Sequence, residues 1–255
     1  MLAGARRMIE EGILEDPVPD FCLALHLWND ESVGWVGLTT GPVLAGSDMF
    51  EFVMKGKGGH GANPDQTIDP IYASAQLITA LQSIVSRNVN PRESAVLSIG
   101  QLTAGDTHNV IPEQATMRGT IRSFEPKVRQ LVIDRFKSIS ANIATAFDCE
   151  FELKINGVAP PTVNDPHVTQ TALRITKELF PDCRIEEGTM NMGSEDMALI
   201  LEAVPGCYIL IGSQDSERSL DAAHHNPQFN FSEAALPIAV AIISATALKL
   251  LDEEK

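Results

Sequence analysis

Between residues 48 and 157 the sequence switches repeatedly between two periodicities, and the order of the switches leaves few folds open. From 48 to 56, Phe50, Phe52 and Met54 alternate with Glu51, Val53 and Lys55, the period of a half-buried strand. From 69 to 88, Ile71, Ala75, Ile78, Leu81 and Val85 recur at helical spacing, and Pro91 follows the end. Alternation returns at 94–102 through Ala95, Leu97 and Ile99, and at 115–123 through Met117, Gly119 and Ile121. Glu125-Pro126 opens a long helix striped by Val128, Leu131, Phe136, Ile139 and Ile143, with proline where its missing N–H costs little. Cys149, Phe151, Leu153 and Ile155 complete a last strand. The order β-α-β-β-α-β predicts a ferredoxin-like unit, its helices on one sheet face and the other face open to water or a partner.

Charge marks the same borders. Residues 48–157 hold 11 Lys+Arg and 12 Asp+Glu, whereas 1–47 and 158–255 together hold 8 and 22. A composition that shifts and then returns predicts one domain inserted into another, 48–157 within 1–47 and 158–255. The flanks carry a helical pattern at 1–15 (Leu2, Ala5, Met8, Ile9, Ile13), an apolar strand at 21–28, a helix at 165–179, another near Ser194, a strand at 207–211 and a terminal helix from Ser232. Helices alternating with near-continuous apolar strands predict an α/β layer whose sheet is buried on both faces. Only two strands are legible there, and residue 1 falls inside a helical pattern with no cap before it, so this domain reads as incomplete at its front. The apolar run 234–251 contains Pro237 and many alanines, which favours a core helix over a membrane span.

With 34 Asp+Glu against 19 Lys+Arg the chain lacks the basic face that phosphate neutralisation needs, which excludes a nucleic-acid partner. The four cysteines form no C-x-x-C pair, and the first residues do not read as a leader. Reduced thiols in the cytoplasm are the expectation.

Several residues could carry chemistry. His26 ends the apolar strand that begins at Phe21, and strand ends of α/β sheets collect ligands; taken alone, a histidine there is more often a packed, hydrogen-bonded residue. His60 sits in Gly56-Lys57-Gly58-Gly59-His60-Gly61-Ala62, a flexible turn after a strand. The Gly-x-Gly-x-x-Gly spacing there is followed by Pro64 rather than a helix start, so it is no phosphate loop. Thr116, Arg118, Thr120 and Arg122 share a strand face on which two arginines could hold a carboxylate or simply meet water. His224 and His225 are adjacent and point apart, so at most one faces a given site. Glu195-Asp196 follows Ser194, a candidate helix cap, where acidic residues also suit a helix dipole.

Taken together, Gly56–Ala62, Asn109-Val110-Ile111-Pro112 with Arg122 further on, Met192-Gly193-Ser194-Glu195-Asp196 and His225-Asn226-Pro227 resemble the binuclear zinc aminoacylase and carboxypeptidase family. They are most similar to its amidohydrolase branch, which includes hippurate hydrolases, N-acyl-L-amino acid amidohydrolases and auxin-conjugate hydrolases. Leu25-His26-Leu27-Trp28 and Ser86-Arg87-Asn88-Val89 belong to the same pattern. The resemblance implies a metal-binding α/β domain interrupted by a ferredoxin-like lid and dimerisation domain. It also implies metal-dependent hydrolysis of the amide bond of N-acyl amino acids in a homodimer. By resemblance His26 and His225 are metal ligands, and His60 polarises the scissile carbonyl, often from the partner subunit's lid. Asn109 and Arg122 hold the substrate carboxylate, and Gly193 and Glu195 line the pocket. The cofactors implied are two divalent ions, zinc or in its place manganese or nickel.

The chain departs from that family where the general base, the bridging ligand and a further histidine and glutamate ligand are expected upstream of residue 1. Two histidines cannot hold two ions, so the expectation is the C-terminal part of a longer enzyme, inactive alone. A second departure is Asn63-Pro64-Asp65, where relatives often carry another histidine. Two alternatives remain open: a shortened non-catalytic homologue acting as a dimerisation or carboxylate-binding module, and a metal-free regulatory module using the Arg118 and Arg122 face.

Overall fold

Aspartate followed by proline starts two of the longer helices, because the aspartate carboxylate takes the first free N–H groups and proline needs none. In chain order, residues 4–253 of a computed structural model form α1 (Gly4–Glu10), β1 (Cys22–Ser32), β2 (Trp35–Gly37), β3 (Gly41–Leu44), β4 (Gly46–Lys55), β5 (Gly59–His60), α2 (Pro70–Ser83), β6 (Ala95–Ala104), β7 (Val110–Ile111), β8 (Gln114–Ser123), α3 (Pro126–Ala146), β9 (Glu150–Ala159), β10 (Thr162–Asn164), α4 (Pro166–Leu179), β11 (Arg184–Glu186), α5 (Met197–Leu201), β12 (Gly206–Gln214) and α6 (Ala235–Glu253). Asp69 caps α2 through Ile71 N at 2.8 Å and Tyr72 N at 3.2 Å, and Asp165 caps α4 through His167 N and Val168 N. The expected helical position of Leu2 lies outside the described residues. Contacts divide the chain into two units, Gly46–Pro160 and the segments on either side of it.

In the unit Gly46–Pro160 an antiparallel sheet runs in the order β6-β8-β4-β9. Its strands and helices follow one another as β4, α2, β6, β8, α3, β9, the ferredoxin-like order. Phe50, Phe52, Met54, Leu97, Met117 and Ile121 point to one face and are buried against Ala73, Leu77 and Leu81 of α2 and Val128, Val132 and Phe136 of α3. Phe50 meets Phe136 edge-on at 4.9 Å, the arrangement aromatic quadrupoles favour. On the opposite face, Arg118 is taken up by Glu51 directly across the strand pair, Nη2 to Oε2 at 2.7 Å. That contact engages one of the two arginines of this face in an exposed cross-strand ion pair.

Gly119 makes room for the Phe50 ring. A Cβ there would lie 2.0 Å from Ser98 O and 2.6 Å from Phe50 Cζ, and neither backbone nor packed ring can yield. Gly119→Ala is therefore expected to destabilise this unit by about 1–3 kcal/mol, the range of overpacked core positions, measured by urea unfolding. A loss below about 0.5 kcal/mol would contradict the packing described.

The flanking segments build a mixed sheet in the order β1-β12-β2-β11, with β1 parallel to β12 and β12 antiparallel to β2. This corrects the expectation of two strands: β2 and β11 are three residues each, too short to show a period. A separate ribbon pairs β3 with β10. β12 is buried nearly throughout. Cys207, Ile209 and Ile211 face Val168 and Ala172 of α4 and Ala239 and Ile242 of α6. Tyr208 and Leu210 face Trp35, Val43 and Leu44, with Met197 and Leu201 of α5 packed alongside. α6 is long and apolar enough to cross a membrane by length and composition; here Ala235, Ala239, Ile242, Thr246 and Leu250 form its buried stripe.

All four cysteines are free thiols. Burial raises Cys22 to about 11 and Cys207 to about 12 from an ordinary 9.0. Their contribution to stability is whole below pH 9 and is lost as the pH rises through about 12, because the unfolded thiols ionise first. Both are expected to react with a disulfide reagent at pH 7.5 far more slowly than a free thiol, since the thiolate is the nucleophile. Rapid labelling of the folded chain at both positions would contradict this.

Candidate active site

Period-two alternation along β1 separates two sets of side chains. Leu23, Leu25 and Leu27 pack toward α4 and α6, which turns His26 and Trp28 to the face that holds Tyr208. The His26 ring lies 6.3 Å from the Tyr208 ring, 6.1 Å from Trp28 and 5.2 Å from His224. His26 Nδ1 is 2.6 Å from Leu27 O. That contact places a proton on Nδ1, so that in the neutral ring Nε2 is the lone pair, the tautomer in which a histidine binds a metal while a backbone carbonyl orients it.

Glu195 stands on the same face. Its Oε2 accepts from Tyr208 Oη at 2.9 Å, and its Oε1 accepts the N–H groups of Asp196 at 2.9 Å and Met197 at 3.5 Å. Ser194 therefore does not cap α5 as the sequence suggested: Glu195 takes the free N–H groups instead. Burial, and then the carboxylate of Glu195, push the Tyr208 phenol well above its ordinary range, so it stays a neutral donor. Asp196 turns elsewhere, accepting Ala5 N at 2.8 Å at the start of α1. Gly193 N donates to Asn191 Oδ1 at 2.7 Å, and Asn191 is tied by its backbone to Val43 and Ala45, which fixes the loop to the end of β3.

The two adjacent histidines differ. His224 is half-buried and packs against Trp28 at 5.3 Å and Phe229 at 5.1 Å. Burial, then nearby His26, lower its pKa below the ordinary value, with Asp30 opposing; the ring is neutral at pH 7. His225 is exposed and holds φ at 64°, a left-handed conformation uncommon outside glycine. Among the described residues no group of three or more His, Cys, Asp and Glu side chains is arranged to hold a metal ion. Two imidazoles fall short of the three or four protein ligands that zinc takes. The described donors thus do not by themselves form a metal site.

In the unit Gly46–Pro160 the other candidates fall in two places. β5 and β7 pair, with His60 opposite Val110 and Gly61 N bonded to Asn109 O at 2.8 Å, so His60 and Asn109 are neighbours. His60 Nδ1 accepts Ala62 N at 3.0 Å. Its proton is therefore on Nε2, the reverse of His26, which makes His60 a hydrogen-bond donor at the exposed end of its ring. Thr107 Oγ1 donates to Asn109 Oδ1 at 3.2 Å. Arg122 is on β8 opposite Ser47 and Val96. It lies eight residues along the strand from Gln114, roughly 26 Å at the rise of a strand. Asn109, beside the β5–β7 ribbon, precedes Gln114 in the chain, so Arg122 and the His60–Asn109 pair belong to different elements of this unit.

Two residues of this region escaped the reading of the sequence: Tyr208, which holds Glu195, and Asn29, which holds the segment around His224. Tyr208 carried a signal, being the one hydroxyl in the apolar run 207–211.

Similarity to known proteins covers the whole described chain. The chain is 36% identical to the N-acetyl-L-cysteine deacetylase of Bacillus subtilis (strain 168) over 255 residues, 99% of this chain and 59% of that protein. It is 36% identical to the hippurate hydrolase of Campylobacter jejuni over 252 residues, 98% of this chain and 64% of that protein. The crystal structure of a dinuclear metal-binding peptidase of the M20 family from Bacillus subtilis superposes with a TM-score of 0.80 at 31% identity, covering 98% of this chain and 62% of that one. The chain thus spans about 60% of the length of the relatives it matches. Residues 1–249 match the peptidase family M20/M25/M40, and the chain belongs to that family.

Proposed function

We propose that this chain is the C-terminal part of a metal-dependent amidohydrolase that cleaves the amide bond of N-acyl amino acids or related amino-acid conjugates. The observation that carries the reading is the juxtaposition of His26, with its Nε2 lone pair, and the His224-His225 segment, at 5.2 Å between the His26 and His224 rings. The acyl-amino-acid names of the relatives support the substrate class. His26 and His225 are the ligands this chain contributes to a centre of two divalent ions, zinc first and manganese or nickel as substitutes. The remaining ligands and the general base belong to a part of the protein outside these residues, so the chain alone is inactive.

The residues of this chain have distinct tasks in that reading. His60, fixed as an Nε2–H donor, hydrogen-bonds the scissile carbonyl oxygen and then the oxyanion. Arg122 and Asn109 hold the substrate's carboxylate end. The length of β8 that lies between Arg122 and Gln114, roughly 26 Å, with Asn109 before Gln114 in the chain, supports a homodimer in which the unit Gly46–Pro160 of one protomer serves the site of the other. Glu195, held by Tyr208, and Gly193 line the pocket. The free thiols support a cytoplasmic location. The shortened-homologue alternative lacks a use for the paired imidazoles.

The test is release of free amino acid from a panel of N-acetyl and N-benzoyl amino acids by the protein at its natural length. Hydrolysis of at least one class is expected; no release from any would overturn the reading. In that enzyme Arg122→Ala is expected to raise KM about tenfold or more with a smaller change in kcat, since a charge-assisted carboxylate contact is lost from ground and transition state alike. An unchanged KM would remove Arg122 from the carboxylate site.

A further inference from the structure

The sequence puts two histidines side by side, and the structure gives them different work through a residue nearly two hundred positions away. Asn29 is 1% exposed. Its Nδ2 donates to Ala222 O at 2.8 Å, Asn230 O at 3.2 Å and Leu220 O at 3.4 Å, and its Oδ1 accepts from Ser213 Oγ at 3.0 Å. An amide has two N–H donors, so both are spent on the two ends of the segment that carries His224 and His225. Asn29 also reaches the middle of that segment, its backbone N–H donating to His224 Nε2 at 3.2 Å. In the neutral His224 ring the proton is then on Nδ1 and the Nε2 lone pair is occupied, which leaves no nitrogen free as a ligand. Among the described residues the His225 ring makes no hydrogen bond.

We propose that Asn29 is a positioning residue that clasps residues 220–230 onto the end of β1, with His224 as part of the clasp, so that His225 is the imidazole of the pair left available as a ligand. The proposal rests on the reading of His26 and His225 as site residues. It assigns the strained left-handed backbone of His225 to the clasp, because both flanks of the residue are held.

Two measurements on the protein at its natural length test it, and neither reads hydrolysis. Long-range proton–nitrogen spectra are expected to show His224 as the Nδ1–H tautomer, the minor form of a free imidazole; the Nε2–H tautomer would overturn the proposal. In Asn29→Ala, amide hydrogen exchange at Leu220, Asn226 and Phe229 is expected to speed up about tenfold or more while Cys207–Ile211 is unchanged. Asn29→Asp keeps the shape and the acceptor for Ser213 but lacks both donors, and is expected to give the same result. Exchange unchanged in a folded variant would overturn the clasp. An intact clasp in an enzyme without hydrolase activity would instead refute the functional reading alone.

Discussion

Replacing His60 with alanine in the full-length enzyme is expected to lower kcat by about 10²–10³-fold, the usual cost of losing one oxyanion donor. Metal content and the fold of the unit Gly46–Pro160 should be unchanged. The argument runs through the tautomer. Ala62 N–H points at Nδ1, so the only proton the neutral ring can offer is on Nε2, at the exposed end. That ring does not support the β5–β7 ribbon, whose backbone bonds survive the substitution. An effect confined to kcat separates transition-state stabilisation from substrate binding. Steady-state kinetics on an N-acyl amino acid, with metal analysis of both proteins, checks this, and wild-type activity in His60→Ala would remove its assigned role.

The second large effect concerns the same unit. Asp48 lies on the inward parity of β4 with Phe50 and Phe52, and its side chain is 3% exposed. Arg129 of α3 meets it with two parallel bonds, Nε to Oδ2 and Nη2 to Oδ1, both 2.7 Å, and the pairing raises the arginine pKa. Arg129→Met keeps most of the stem packing but strands a buried carboxylate, which is expected to cost about 3 kcal/mol at pH 7. Urea unfolding at pH 7 is the test. A penalty under about 1 kcal/mol would contradict the pairing.

Long half-buried elements were legible in the sequence and short or wholly polar ones were not. β4, β6, β8 and β9 each keep one dry face, so their order and that of α2 and α3 could be read from alternation alone. β5 and β7 have two residues each, and β2, β10 and β11 three, too few for any period to register. The β1 alternation carried the orientation of His26, since Leu23, Leu25 and Leu27 must share the opposite face. Asp48 was legible in principle: a carboxylate on the inward parity requires a cation, although nothing nearby in the chain names Arg129. Asn29 was not legible, because its partners are mainly backbone carbonyls, one of them 201 residues away, and a carbonyl leaves no mark on composition. The choice between His224 and His225 was settled in the sequence only by resemblance; the occupied Nε2 of His224 supplies a physical reason for it.

The central claim is that these residues are one part of a longer, metal-loaded hydrolase, and native mass spectrometry of the protein from its natural source tests it most directly. The account predicts a polypeptide well above 27.6 kDa carrying two divalent ions per chain. A mass of 27.6 kDa with no bound metal would contradict it.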